Sequence, residues 1–399
     1  MSTTDHSPAT TARYPFNSTV GLRLSDEYDR VRKQNGLVLV RLAYGEPAWL
    51  VTRADDARQV LGDRRFSRSD AVNHDEPRAS EGRPGRGLIE MDPPRHTRVR
   101  AVVARAFTVR QVERMRPQIR ARVAKLLDAV EATGHGADLV SQLAVPLPMS
   151  VLCQLLGAPE TDFPRLRAWA EALMMTNTLP AAAFDTHYEE FRAYIRELMD
   201  RHRAAPRDDL MTALIEAETS DDPLFDTEVE QLCLCLLLAG SVAPATQIAN
   251  FVYTLLNHPA QLALLRADPT LVPQAVEELL RFVQLRLGSL HPRYATTDVE
   301  VGGTLVRAGT PVLVDLGGAN HDPTRYEDPD TLDITREDIT HVAFGHGFHH
   351  CVGAPLGRVE CQEVLRALFT RFPGLHVSGD ITWMTEATLW GPRVLPVGW

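Results

Sequence analysis

The chain has 399 residues, 44% of them hydrophobic and 24% charged, with a mean hydropathy of −0.17. That is enough chain for a large core, and the composition is that of a globular protein. A net charge of −10 without a basic block argues against nucleic-acid binding; five cysteines (153, 233, 235, 351, 361) without scaffold spacing fit a reducing cytoplasm.

Residues 1–13 are polar with no apolar run, so a disordered tail is expected there, with no signal peptide and no membrane anchor, ahead of one domain over 14–399. No internal repeat or long linker divides the rest. Strand-like segments at 37–42 and 48–52 come first. The polar, Gly-rich stretch 69–90 predicts a mobile lid. Met91-Asp92-Pro93-Pro94-Arg95-His96 opens a helix at its proline pair, and His96 and Arg100, four apart, project from one face. Two such donors suit carboxylates, or simply face solvent. The Arg-rich stretches 83–86 and 95–105 are local enough to face an acidic partner. Helical periodicity dominates 54–290, for example at 112–133, 186–205 and 260–266.

Residues 232–256 carry no charge over 25 positions, long enough to span a bilayer. Their Ser, Pro, Thr, Gln and Asn, and the lack of a basic flank, favour a helix buried on all sides of a large protein. Inside it stands Ala239-Gly240-Ser241-Val242-Ala243-Pro244-Ala245-Thr246. Pro244 has no N–H for the Gly240 carbonyl, so the helix should bend; the freed carbonyl could hold a water, or the bend could serve packing alone.

Glu278 and Arg281, three apart in an apolar helix, place opposite charges on one face. Gly302-Gly303 falls where a hairpin would turn between 299–301 and 304–306, and a further strand is expected at 310–316. The most telling stretch is Phe344-Gly345-His346-Gly347-Phe348-His349-His350-Cys351-Val352-Gly353, directly before an apolar-periodic helix. A thiolate at a helix N-terminus is stabilised by the helix dipole and free N–H groups, and Gly345, Gly347 and Gly353 should let backbone approach the sulfur. Cys351 could instead be a small core residue, or bind zinc with His346, His349 and His350. Zinc ligands usually come as two separated pairs, and four candidates within six residues cannot all face one ion.

The pattern F-G-x-G-x-H-x-C-x-G resembles the haem-ligand loop of the cytochromes P450, a resemblance that runs from about Asp26 to the C-terminus. It implies that family's fold, mainly α with small β-sheets in a single domain. It implies haem b held by Cys351 as proximal iron ligand, with Phe344, Gly345 and Gly353 shaping the loop, and a thiolate push on the iron. It further implies His96, Arg100, Arg293 and His349 as haem-propionate partners, and Glu278 and Arg281 as the E-x-x-R pair bracing the ligand loop. Residues 320–329 resemble the meander before that loop, with His321 where the family usually has Arg. The substrate pocket is expected at Met174, Met175, Leu287, Ser289, Leu290, Thr388 and Leu389, the last two in a turn over 383–390. Met174 and Met175 would give an adaptable apolar wall, or simply fill core.

Against the family's usual A-G-x-[DE]-T, Val242 stands at the acid position and Ala243 at the alcohol position. Neither transfers a proton, so the usual relay is absent. Gly240, Ser241, Pro244 and Thr246, or a polar group of the substrate, are the remaining candidates for a proton path. Radical C–C or C–N coupling of an aromatic secondary metabolite, such as an indole- or phenol-containing cyclodipeptide, is therefore expected. Conventional monooxygenation with substrate-assisted protonation is the alternative, and a haem-binding sensor or recruitment protein is the reading from another class. Peroxide-driven relatives place an Arg-Pro pair at this spot, and no Arg stands here. No flavin or nicotinamide fingerprint occurs, so a ferredoxin and its reductase are the expected electron donors to a monomer in the cytoplasm.

Overall fold

The computed structural model describes residues 11–34, 36–81, 87–174, 178–219, 223–289 and 291–399. Most of them are helical. The strand-like segments read from sequence form β structure at Val38–Arg41, Ala48–Val51, Val299–Val301, Thr304–Val306 and Pro311–Val314. The Gly302-Gly303 turn has both φ values positive (53° and 77°), which matches a hairpin twist and suits glycine.

Six strands make the main sheet, in the spatial order Ala12–Arg13, Val38–Arg41, Ala48–Val51, Pro311–Val314, Arg293–Ala295, Phe66–Ser67. Ala12 and Arg13, assigned to the tail by sequence, instead pair in parallel with Val40 and Arg41. Trp49, Leu50 and Val51 pair with Val312, Leu313 and Val314, so chain segments more than 250 residues apart share one core. Tyr14 and Tyr28 both donate to the buried carboxylate of Asp315, the second at 2.7 Å, and close the N-terminal segment onto this sheet.

The helical body is organised around Asp226–Leu256, a 31-residue helix about 46 Å long at 1.5 Å per residue. It is apolar and long enough to cross a membrane, yet most of its surface is packed against protein: Pro146–Leu155, Phe163–Met174, Ala181–Ala204 and the ligand-loop helix Ala354–Arg371. Gly240 explains one of these contacts. A Cβ there would lie 2.9 Å from Leu152 Cδ1, so glycine lets the two helices close. Pro244 sits inside the helix, which runs on unbroken past it.

Glu228 fixes the start of this central helix. Its carboxylate accepts from the Phe225 N–H (3.1 Å), from Arg95 (3.0 Å) and from Arg98 (2.7 and 2.8 Å). Arg95 and Arg98 belong to helix Arg95–Ala106, and committing that face to Glu228 turns His96 and Arg100 the other way. Val109–Thr133 follows, capped by Thr108 Oγ1 and ended by Gly134 at φ 79°, and packs along Ala354–Arg371. There the buried carboxylate of Glu363 gathers Arg116, Arg120 and Arg366 at 2.8, 2.8 and 3.1 Å.

Candidate functional site

The ligand loop is built from backbone geometry first. The Cys351 N–H donates to the Phe344 carbonyl (2.8 Å), which folds 344–351 into a closed loop. Gly345 and Gly347 carry φ of 73° and 70°, a region that penalises any side chain. Their role differs from the sequence expectation. A Cβ on Gly347 would meet the Leu61 carbonyl at 2.4 Å, and one on Gly345 has only the His349 carbonyl at 3.9 Å. They shape and dock the loop; Gly353 alone lies by the sulfur, 3.9 Å from its would-be Cβ. Arg358 stacks over the Phe344 ring at 4.6 Å and is held by Glu277, at 2.6 and 2.9 Å.

Glu277 was not singled out in the sequence, yet it also accepts from His341 (3.2 Å) and so ties the loop's entrance to the helix that follows it. Burial alone would raise its carboxyl; the hydrogen bonds from His341 and Arg358 outweigh this and hold it down at about 2. Its neighbours Glu278 and Arg281 form a doubly bonded pair (2.7 and 2.8 Å) with both side chains fully buried. Arg281 also donates to the carbonyls of Asn320 (3.0 Å), Pro329 (2.8 Å) and Thr331 (3.3 Å). Asn320 Oδ1 in turn accepts the Val342 N–H at 2.8 Å, which carries the brace into the ligand loop. His321 is buried beside Arg281, and burial followed by that positive charge drops it to about 3, so it adds no cation there.

Cys351 lies across a space from the central helix. Its own surface is open although it sits deep in the molecule, where burial pushes the thiol up. The Gly353 N–H, Arg100, the Ala354 N–H and Arg358 pull it down in that order. Between 235 and 244 the helix opposite is open in a stripe: Ala239 is exposed, and Cys235, Leu238, Gly240, Ala243 and Pro244 are half-buried. Cys235 and Ala239, and Ala239 and Ala243, are each one turn apart; burial, and after it Cys351, raises the Cys235 thiol to about 11. This stripe carries no hydroxyl or carboxyl. Val242 packs into the core, the Ser241 hydroxyl donates back to Leu237 O (2.5 Å), and the Thr246 hydroxyl donates to Val242 O (2.9 Å).

At one side of the space four donors converge. His96 and His349 have ring centroids 4.4 Å apart, Arg100 donates to the His350 carbonyl (2.5 Å), and Arg293 is buried on the edge of its strand. Both ring nitrogens of His96, His349 Nε2 and Arg293 Nε are buried without a partner. Burial and Arg68 drag Arg293 down to about 9; burial, Arg293 and His96 drag His349 down to about 3. Donors this crowded, most of them without a partner, suit anions, and two propionate carboxylates beside a thiol-facing gap match the set. The residues present fit a haem.

Of the expected pocket residues, Met174 and Thr388 meet directly: Thr388 Oγ1 donates to the Met174 carbonyl at 3.3 Å. Leu287 N–H donates to Thr388 O (3.1 Å) and Ser289 N–H to the Tyr14 hydroxyl (2.5 Å), so 285–289 and 388–390 form one wall. Leu389 is a correction. It is fully buried in the main core, and Ala387 and Trp390 beside it are buried too. Met175 and Leu290 lie outside the described residues, as do 82–86 of the expected lid. The lid's neighbouring part is tied down, with Tyr44 and Arg78 exchanging backbone hydrogen bonds at 3.1 and 3.0 Å.

A lone cysteine in a closed loop, an apolar helix facing it and a cluster of arginine and histidine donors between them define a haem-thiolate site. Residues 18–388 match the Cytochrome P450 family, and the chain belongs to it. It is 43% identical over 389 residues to the mycinamicin IV hydroxylase/epoxidase of Micromonospora griseorubida, covering 97% of this chain and 98% of that one. It is 45% identical over 394 residues to the nocardicin C N-oxygenase of Nocardia uniformis subsp. tsuyamanensis, covering 98% and 99%. The structure of cytochrome P450mel, with biaryl coupling reactivity, superposes with a TM-score of 0.92 at 38% identity, covering 98% of this chain and 100% of that one. The protein is accordingly an oxidoreductase whose family carries haem-thiolate iron, acts on small molecules and draws electrons from redox partners.

Proposed function

We propose that this P450 holds haem b through Cys351 and oxidises an aromatic secondary metabolite, with radical C–C or C–N coupling as its main reaction. The observation that carries this is the open stripe Cys235, Ala239, Gly240, Ala243, Pro244, which offers no hydroxyl or carboxyl while Ser241 and Thr246 are turned back on their own helix. When bound, the haem supplies dioxygen activation with a thiolate push. Oxygen insertion and coupling then differ in what reaches the substrate. Coupling removes two hydrogens from the substrate and forms one bond between its parts; dioxygen, two supplied electrons and two protons leave with them as two waters. Insertion instead places one oxygen in the product and releases one water.

The chain's own residues have clear tasks. Arg293, His96, Arg100 and His349 hold the propionates, and Glu278, Arg281 and Glu277 keep the ligand loop in register. The wall at 285–289 and 388–390, with Met174, orients the substrate. A monomer in the cytoplasm fed by a ferredoxin and its reductase completes the reading.

Monooxygenation is the second reading, favoured by the hydroxylase/epoxidase and N-oxygenase relatives. There a hydroxyl or amine of the substrate, with water on the Gly240 carbonyl left free by Pro244, would deliver the proton. Turnover under isotopically labelled dioxygen separates the two. Coupled product free of label supports the first reading; labelled product overturns it in favour of insertion.

A further inference from the structure

The wall segment 285–289 does not hold its own shape. It contains neither helix nor strand, only an isolated bridge from Arg286 to Leu389, and the chain bends at Leu287 and Gly288. Backbone of this kind takes its course from whatever its amides and carbonyls bond to. Two of its bonds go to Thr388 and Trp390. Two more go to side chains near the opposite end of the sequence.

The Ser289 N–H donates to the Tyr14 hydroxyl (2.5 Å), and Asn17 Nδ2 donates to the Leu287 carbonyl (3.0 Å), across 275 and 270 positions of sequence. Gly288, between them, sits against the Tyr14 ring. A Cβ there would lie 2.8 Å from Tyr14 Cζ and from its hydroxyl oxygen, and 3.0 Å from Pro15 Cβ, so glycine is what lets the wall lie on that ring.

Both side chains are themselves aimed. Tyr14 is buried and donates its proton to Asp315, which leaves the hydroxyl lone pairs for the Ser289 N–H. Asp315 is held in turn by the Gly318 N–H (2.7 Å), the Tyr28 hydroxyl (2.7 Å) and Gln284 Nε2 (3.3 Å). Asn17 is fixed from its other atom, where Oδ1 accepts the Ser25 N–H at 3.0 Å. Tyr28 shares the Asp315 carboxylate, yet makes no bond to 285–289 among the described residues.

A wall that must be ordered before it can touch a ligand weakens binding by the cost of ordering it, and fixing it beforehand removes that cost. We propose that Tyr14 and Asn17 are positioning residues for the substrate wall. With Asp315 behind Tyr14, they fix 285–289 and so govern which ligands the space beside Cys351 accepts. This rests on the reading of 285–289 as a wall of the substrate site, and it concerns binding, whether coupling or oxygen insertion follows.

The test is spectral titration of the haem-loaded enzyme with two iron-ligating probes: imidazole, which offers little beyond the ligating ring, and clotrimazole, whose bulky aryl groups extend past it. The readout is the ratio of the clotrimazole Kd to the imidazole Kd. In Tyr14→Phe and in Asn17→Ala that ratio should rise ~3- to 10-fold, the size of one lost hydrogen bond, with haem content and the carbon-monoxide spectrum as in wild type. Tyr28→Phe is the control for stability alone. Like Tyr14→Phe it takes a donor from Asp315 and should lower the melting temperature, but its ratio should stay within ~2-fold of wild type. Asn17→Ala keeps the test open if Tyr14→Phe does not fold. A ratio unchanged in the folded variants, or moved as far by Tyr28→Phe, would overturn the proposal. Leu287→Ala separates it from the reading beneath it. If Leu287→Ala moves the ratio and Tyr14→Phe and Asn17→Ala do not, the positioning claim alone fails. If Leu287→Ala does not move it either, or wild type does not bind clotrimazole, 285–289 is no wall of the ligand space and both fail.

Discussion

Replacing Arg281 with Leu should unfasten the ligand loop from a distance. The guanidinium holds Glu278 at 2.7 and 2.8 Å, and both side chains are fully buried. Removing one partner of a buried pair costs ~3–5 kcal/mol, since the other charge stays buried. Three carbonyls, of Asn320, Pro329 and Thr331, also lose their donor, at ~1–3 kcal/mol each before water or neighbours compensate. Glu278 keeps the Asp333 N–H (3.1 Å) and Arg336 (3.4 Å), so a net loss of ~5 kcal/mol is the reasonable sum. With an unfolding entropy of ~2.1 cal/mol/K per residue, that lowers the melting temperature by ~6 °C. Asn320 then no longer steadies Val342, and the variant should lose haem well before it unfolds. Thermal melts followed together by circular dichroism and by Soret absorbance check this. A melting temperature within about one degree of wild type with haem fully retained would refute the bracing argument.

Three further outcomes follow from the same structure. Glu360 is buried with both carboxyl oxygens unpartnered, and burial pushes it up to about 8. The folded state thus keeps its proton where the unfolded state loses it, and stability should fall as pH rises from ~4.5 to 8; Glu360→Gln should gain up to ~3 kcal/mol at pH 7 and nothing near pH 4.5, whereas parallel curves would contradict this. Glu277 has the opposite sign: held at about 2, it contributes stability above the ordinary glutamate range that is lost as pH falls from ~4.5 toward 2. Acid unfolding of Glu277→Gln should accordingly be flatter through that window, and an unchanged acid limb would discount the His341–Glu277–Arg358 tie. Ala243→Thr adds a hydroxyl to the open stripe and should raise the share of product carrying oxygen from dioxygen; an unchanged share would mean that the missing alcohol does not set the outcome.

Local patterns carried much of this site. The glycine spacing around Cys351, the three-residue step from Glu278 to Arg281 and the one-turn step from His96 to Arg100 all survive into three dimensions, because each is a short-range feature of backbone or helix. The uncharged run at 232–256 was readable as a core helix for the same reason. What sequence did not show depends on distant partners. Tyr14 and Asp315 are 301 positions apart, and Ala12 joins the sheet only through Val40. Strands of two or three residues, such as Phe66–Ser67 and Arg293–Ala295, are too short to display a period. Gly347 looked like a cysteine-loop residue, but its need for glycine comes from Leu61. Leu389 and Thr388 were indistinguishable as neighbours in a turn until the wall at 285–289 assigned their sides.

The central claim is that Cys351 presents a thiolate to haem iron. The most direct measurement is the absorption spectrum of the reduced, carbon-monoxide-treated protein, taken for wild type and for Cys351→Ala. Wild type should give a Soret band strongly shifted to the red of ordinary haem proteins, and the variant should lose that band. A wild-type band at the ordinary haem-protein position, or a red-shifted band that persists without Cys351, would contradict the account.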